Sequence, residues 1–123
     1  MEKAYVFLAD GFEEIEGLTV VDILRRAGAD TQTVSVMGRK EITGTLFVLP
    51  GGMPGTKHLG AHEGLTSLLK KAAAEGKRVA AICAAPSVLG DLGLLEGKHA
   101  VCYPGFEDRL KGAQVEFTPV VTD

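Results

Sequence analysis

Short apolar runs alternate with segments of helical periodicity along the chain. The runs predict five strands, at Tyr5–Leu8, Thr31–Val36, Leu46–Leu49, Arg78–Ile82 and Ala100–Cys102, and a weak β segment within residues 112–121. Apolar residues spaced three or four apart predict helices at Ile15–Ala27, Glu63–Glu75 and Ala84–Leu92. Strands that alternate with helices indicate an α/β fold, doubly wound, with a mostly parallel sheet and helices on both faces.

The first helix has the clearest pattern. Ile15, Leu18, Val21 and Leu24 recur at helical spacing and predict the buried stripe of this helix. Gly28 follows two arginines and predicts where the helix ends.

The connection between the second and third strands is short. A parallel crossover needs about a dozen residues. We therefore expect either a small hairpin over Met37–Ile42 or a connecting segment that this chain lacks.

Composition narrows the class of protein. The chain has 123 residues, 46% hydrophobic and 24% charged, with a net charge of -3, which predicts one domain over residues 1–123. This charge predicts no nucleic-acid partner and no membrane-binding patch, and no apolar run is long enough for a secretion signal or a membrane span. We therefore expect a cytoplasmic, reducing location, with Cys83 and Cys102 as thiols.

Three of the strands end in residues with unusual chemistry. Glu13, Glu14 and Glu16 follow the first strand, Pro50-Gly51-Gly52 follows the third, and Cys83 lies where the fourth turns into a helix. Ligand sites in doubly wound sheets gather at the carboxyl ends of the strands. If these strands are neighbours, the three turns face one another.

Cys83 is the candidate nucleophile, and a buried structural cysteine is the alternative interpretation. At the positive end of the following helix the thiolate is favoured, so we expect a lowered pKa for this thiol. The amides of Gly51, Gly52 and Ala84 could hold an oxyanion at a carbonyl attacked by Cys83. Glu16, expected beside the buried stripe, would be desolvated and available for hydrogen bonding to sulfur or for acid–base catalysis.

Other polar residues have simpler interpretations. Glu13 and Glu14 suit the cap of the first helix. His58 and His62 have the spacing of paired metal ligands, but no third ligand lies near them in the sequence, so we interpret them as surface residues and expect no metal site. Cys102 is interpreted as a small core residue.

Four segments together resemble the DJ-1/PfpI superfamily, and within it the DJ-1 (ThiJ-like) branch. They are Leu8–Glu16, Val21–Gly28, Val48–Gly52 and Ala80–Pro86, which follow one another in the family's order. The resemblance implies a flavodoxin-like sandwich, a homodimer and no cofactor. It also implies a reactive Cys83 hydrogen-bonded to a protonated Glu16, with Gly51, Gly52 and Ala84 forming an amide pocket.

The chain also departs from the family's pattern. Tyr103 stands where animal DJ-1 proteins carry a histidine near the cysteine. Its phenol suits contact with a substrate oxygen better than general-base catalysis. We expect a shortened domain, without the helical segment before the third strand and without the family's C-terminal strand and helix.

Three functions are then open. The resemblance implies a cysteine-dependent glyoxalase or deglycase, whose substrates are small reactive 1,2-dicarbonyls such as methylglyoxal. The alternative is an oxidative-stress sensor or chaperone that uses oxidation of Cys83 without turnover. A cysteine peptidase is disfavoured, because Ala84 stands where PfpI-type peptidases place a histidine.

Overall fold

The computed structural model of the chain describes residues 2–36 and 45–123. The strands in these residues are β1 (Lys3–Leu8), β2 (Asp30–Ser35), β3 (Leu46–Leu49), β4 (Arg78–Ala81), β5 (His99–Ala100) and β6 (Gln114–Val115). The helices are α1 (Glu14–Arg26), α2 (Gly55–Ala61), α3 (Glu63–Ala74) and α4 (Pro86–Asp91), and a 3-10 turn covers Glu107–Arg109. The hairpin expected over Met37–Ile42 lies outside the described residues.

Strands β1 to β4 form one parallel sheet in the order β2-β1-β3-β4. The strand order therefore reverses between β1 and β3, which is the position of the ligand crevice in doubly wound sheets. Because β1, β3 and β4 are parallel neighbours, their carboxyl ends lie along one edge of the sheet. The predicted doubly wound α/β fold is confirmed, and the three turns named above are adjacent.

Apolar side chains cover both faces of this sheet. On one face, Val6, Val21 and Val48 pack between the sheet and α1. On the other face, Phe7 and Phe47 stack with ring centroids 6.1 Å apart and belong to a larger core with α2, α3 and α4. Val6 and Phe7 point to opposite faces because side chains alternate along a strand, so β1 contributes to both layers of the core.

The buried face of α1 differs from the predicted stripe. Val21 is buried as expected, but Ile15 and Leu18 are 75% and 54% exposed, and Gly17 is buried instead. A Cβ at Gly17 would lie only 2.8 Å from the ring of Phe12, so the helix packs closely through its glycine. The apolar residues on the other side of the helix therefore face outward.

Two further expectations on elements need correction, and one helix is additional. The helix α2 was not predicted from the sequence. The fifth strand covers His99–Ala100 rather than Ala100–Cys102, and it pairs in parallel with β6 instead of joining the four-stranded sheet. The helix after Cys83 begins at Pro86, so Ala84 and Ala85 belong to the preceding turn.

Within residues 2–36 and 45–123, no helix combines the length and the apolar character needed to cross a membrane.

Candidate active site

Cys83 occupies the turn between β4 and α4. Its φ angle is +62°, in the left-handed region that costs a residue with a side chain about 1–2 kcal/mol. Hydrogen bonds hold this conformation: Tyr103 N–H donates to the Cys83 carbonyl at 2.8 Å, and Ala85 N–H donates to the Ile82 carbonyl at 3.0 Å. Cys83 is half-buried and is a free thiol.

Glu16 reaches this thiol from the first turn of α1. Gly51 N–H donates to Glu16 Oε2 at 2.8 Å, and the same carboxyl is in hydrogen-bond contact with the Cys83 side chain. Glu16 is half-buried and lies next to Gly17 on the inner side of the helix. It therefore faces the site for a different reason from the one expected, since Ile15 and Leu18 point to solvent.

Gly51, in the Pro50-Gly51-Gly52 loop, lies against both Glu16 and Cys83. A Cβ at Gly51 would lie 2.5 Å from Glu16 Oε2 and 2.6 Å from Cys83 Cβ, which leaves no room for a side chain. Gly52 has a φ of +88°, and its amide faces the Cys83 sulfur, as does the amide of Ala84. Of the three expected pocket amides, two therefore face the sulfur and the third holds the carboxyl.

The electrostatic environment favours the protonated thiol. Burial raises the pKa of Cys83 above its ordinary value of 9.0, and the charge of Glu16 and its hydrogen bond raise it further. The amides of Gly52 and Ala84 act in the opposite direction, with smaller effects. The expectation of a lowered pKa is therefore wrong, because burial and the nearby Glu16 carboxylate outweigh the amides of Gly52 and Ala84.

Tyr103 contacts the Cys83 turn through its main chain. Its N–H bond to Cys83 places the residue next to the thiol, while its side chain is 58% exposed. The sequence gives no signal for this main-chain contact, because it depends on the path of the chain after β5.

The remaining candidates lie outside this contact set. Glu13 occupies the N-cap of α1 but makes no capping hydrogen bond with its side chain, contrary to expectation, and its N–H donates to the Gly51 carbonyl. His62 caps α3, where its Nδ1 accepts from Leu65 N–H at 3.0 Å. Cys102 is half-buried against the larger core. In the part of the chain that the structure describes, no cluster of three or more His, Cys, Asp or Glu residues could hold a metal ion.

The fold and the site together define a class: a doubly wound α/β protein with a cysteine, a glutamate and main-chain amides at the point where the strand order reverses. A sequence model of the DJ-1/PfpI family matches residues 41–123, and the chain belongs to this family. The resemblance seen in the sequence motifs is thereby confirmed.

Curated relatives come from distant organisms. Protein dj-1beta of Drosophila melanogaster is 31% identical over 89% of this chain and 69% of its own length. Protein DJ-1 homolog B of Arabidopsis thaliana is 36% identical over 89% of this chain, but the match spans only 30% of that protein. A deglycase of Pyrococcus abyssi is 28% identical over 94% of this chain and 80% of its own length.

Solved structures agree with the family assignment. A DJ-1 superfamily protein from Salmonella typhimurium superposes with a TM-score of 0.92 at 30% identity, over all of this chain and 78% of that one. Oxidised Toxoplasma gondii DJ-1 superposes with a TM-score of 0.89 at 34% identity, over 99% and 78% of the two chains. The flavodoxin-like sandwich expected from the sequence is therefore the observed fold.

Proposed function

We propose that this chain is a cysteine-dependent, cofactor-independent glyoxalase or deglycase that acts on small 1,2-dicarbonyls such as methylglyoxal. The observation that carries the proposal is the contact of one carboxyl, that of Glu16, with the half-buried thiol of Cys83. A nucleophile beside a proton acceptor is the arrangement that carbonyl addition and proton transfer need. The name of the Pyrococcus abyssi relative, a deglycase, supports the deglycase activity in this proposal.

Cys83 and Glu16 can share a single proton. The Glu16 carboxyl that contacts the thiol can take the Cys83 proton as the sulfur bonds to the substrate, so no free thiolate has to form in advance beside the charged carboxylate. The amides of Gly52 and Ala84 face this sulfur. The pair thus generates the nucleophile without a metal or cofactor.

The reaction follows from these groups. Cys83 sulfur bonds to the aldehyde carbon of methylglyoxal, and Glu16 passes the proton of the thiol to the carbonyl oxygen, which gives a hemithioacetal and restores the carboxylate. Glu16 removes the hydrogen from that carbon and returns a proton to the neighbouring carbon, which gives a thioester of lactate. Water cleaves the thioester, releasing lactate and restoring the thiol. The net reaction adds one water to methylglyoxal.

Other parts of the site would bind the substrate. The amides of Gly52 and Ala84, which lie beside the sulfur, would hold the oxygen that becomes negative, each contributing about 3 kcal/mol. The exposed Tyr103 side chain is proposed to contact the second carbonyl oxygen. A reducing compartment such as the cytoplasm would keep the thiol available.

The test is lactate formation from methylglyoxal by the purified chain. Cys83→Ala should abolish it, while Cys102→Ala, which removes the other thiol, should retain it. Undiminished turnover by Cys83→Ala would refute the proposal.

A second candidate function is oxidation sensing, and it would use the same thiol. Cys83 is half-exposed, and the oxidised Toxoplasma gondii DJ-1 is among the structures that superpose on this chain. In this case mild peroxide should add two oxygens to Cys83 well before Cys102, as read by peptide mass spectrometry. Slow, equal oxidation of both cysteines would contradict it.

We also propose that two copies of the chain pair through the outer face of α1. This face exposes three apolar side chains, Ile15, Leu18 and Ile23. The helix has Glu14 in its first turn and Arg25 in its last turn. An antiparallel pair would therefore bring opposite charges together at both ends of the contact.

A further inference from the structure

Ser87 is a buried hydroxyl beside the site that the mechanism above does not use. Its side chain is 0% exposed, and its Oγ donates to the Ala84 carbonyl at 2.6 Å. The main-chain N–H of Ser87 donates to the same carbonyl at 3.1 Å. One residue therefore holds one carbonyl oxygen with two donors.

That carbonyl belongs to the residue whose amide faces the reactive sulfur. Ala84 N–H is directed at Cys83, and the peptide unit that contains this N–H is held at its other end, where Tyr103 N–H binds the Cys83 carbonyl at 2.8 Å. In a planar trans peptide the N–H and the C=O point in opposite directions. Anchoring the Cys83 carbonyl therefore aims the Ala84 N–H, and anchoring the Ala84 carbonyl limits rotation of the next unit.

The local sequence explains why a side chain is needed for this anchor. Pro86 has no N–H, so it cannot bind the Cys83 carbonyl, which is left for Tyr103. The helix α4 has only six residues and gives little cooperative support to its first turn. Cys83 itself is in the strained left-handed region and keeps that conformation only if its surroundings enforce it.

We propose that Ser87 is a positioning residue for the thiol: its hydroxyl holds the Cys83–Ala84 turn and keeps the Ala84 amide directed at the sulfur. The reaction it serves is that of the proposed function. Alkylation of the thiol reports on the positioning without any turnover, so the two proposals can fail separately.

Thr56 provides a matched control. It is the other hydroxyl buried in the first turn of a helix that follows a site loop, with 1% exposure, but its Oγ1 has no hydrogen-bond partner in the described part of the chain. Ser87→Ala and Thr56→Val each remove one buried hydroxyl, but only the first removes a bond to the site.

The experiment follows the rate of Cys83 alkylation by iodoacetamide against pH, resolved by peptide mass spectrometry, on protein shown to be folded by urea denaturation. Ser87→Ala should slow alkylation at pH 7 about threefold, because the amide that stabilises the thiolate is less well held, and move the pH midpoint upward. If methylglyoxal is turned over, kcat should fall while KM stays unchanged. Thr56→Val should match the wild type.

Two results would overturn the inference. One is a Ser87→Ala midpoint equal to that of the wild type, which would leave the hydroxyl a purely structural role. The other is an equal shift in Thr56→Val, which would trace the effect to general loosening. Ser87→Thr, which keeps the hydroxyl, should restore the midpoint, and a folded Ser87→Thr protein with a raised midpoint would also contradict the proposal.

Discussion

At the scale of single residues, Gly51 controls the contact between the acid and the thiol. Its N–H binds Glu16, and its missing side chain lets Glu16 and Cys83 approach from opposite sides. A methyl group in Gly51→Ala would push both apart. We predict a loss of lactate formation of about a hundredfold, because misplacing reacting groups by about 1 Å has this effect.

Gly60→Ala is the control for this substitution. A Cβ at Gly60 meets its nearest neighbour, Val88, only at 3.5 Å, and the position is inside α2, where alanine is favoured. Its activity should equal that of the wild type. Equal activity of Gly51→Ala and Gly60→Ala in steady-state assays would show that the close approach at Gly51 is unimportant.

The residues of the candidate site could be predicted from the sequence more easily than the pKa of the thiol. Cys83, Glu16 and the glycine pair stand out because strand ends can be located from apolar runs and turn residues. The direction of the thiol pKa could not be predicted, because it depends on the burial of Cys83 and its distance from Glu16 across 67 residues of chain. The sequence around Cys83 shows only the helix that follows it, and that helix alone predicts a lowered pKa.

At the scale of elements, α3 depends on a histidine cap. His62 Nδ1 accepts the Leu65 N–H, which would otherwise lack a partner within the helix. We predict that His62→Ala lowers the free energy of unfolding by about 1 kcal/mol. Urea denaturation measures this change.

His58→Ala is the matched control, since His58 is exposed and its side chain has no hydrogen-bond partner among the described residues. It should leave the unfolding free energy unchanged, and His62→Asn, which keeps an acceptor, should restore most of the loss. An effect of His58→Ala as large as that of His62→Ala would rule out capping as the cause.

Sequence patterns are enough to locate some of the strands and helices but not others. The strands β1 and β3 are apolar runs with clear ends, and both were located correctly. The helix α2 has a single large apolar residue, Leu59, and no periodicity to detect. For α1 the period was evident but the buried face was not, because Gly17 rather than a large side chain makes the close contact.

At the scale of the whole molecule, the outer face of α1 is the surface on which the proposed dimer depends. Leu18 and Ile23 are 54% and 58% exposed there. We predict that Leu18→Lys or Ile23→Lys converts the dimer to a monomer, since a desolvated lysine opposes the contact. Sedimentation velocity gives the oligomeric state.

Phe117→Lys serves as the control, because Phe117 is even more exposed, at 86%, and is not part of α1. It should leave sedimentation unchanged. A wild-type chain that sediments as a monomer, or a dimer that survives both α1 substitutions, would contradict the proposed contact.

The parallel pairing of the strands could be predicted from the sequence, but which strands belong to the sheet could not. Alternating strands and helices imply parallel neighbours and a common edge, and this brings the turns after β1, β3 and β4 together. The separate pairing of β5 with β6 could not be foreseen, because two-residue strands carry no pattern that selects a partner.

The central claim is that Glu16 and Cys83 act as a pair that shares one proton. Glu16→Gln tests it most directly, since it removes the charge that raises the pKa of the thiol and keeps the size of the side chain. The pH midpoint of Cys83 alkylation should therefore fall, while lactate formation falls about a hundredfold because the acid–base group is lost. An unchanged midpoint with undiminished lactate formation would contradict the account.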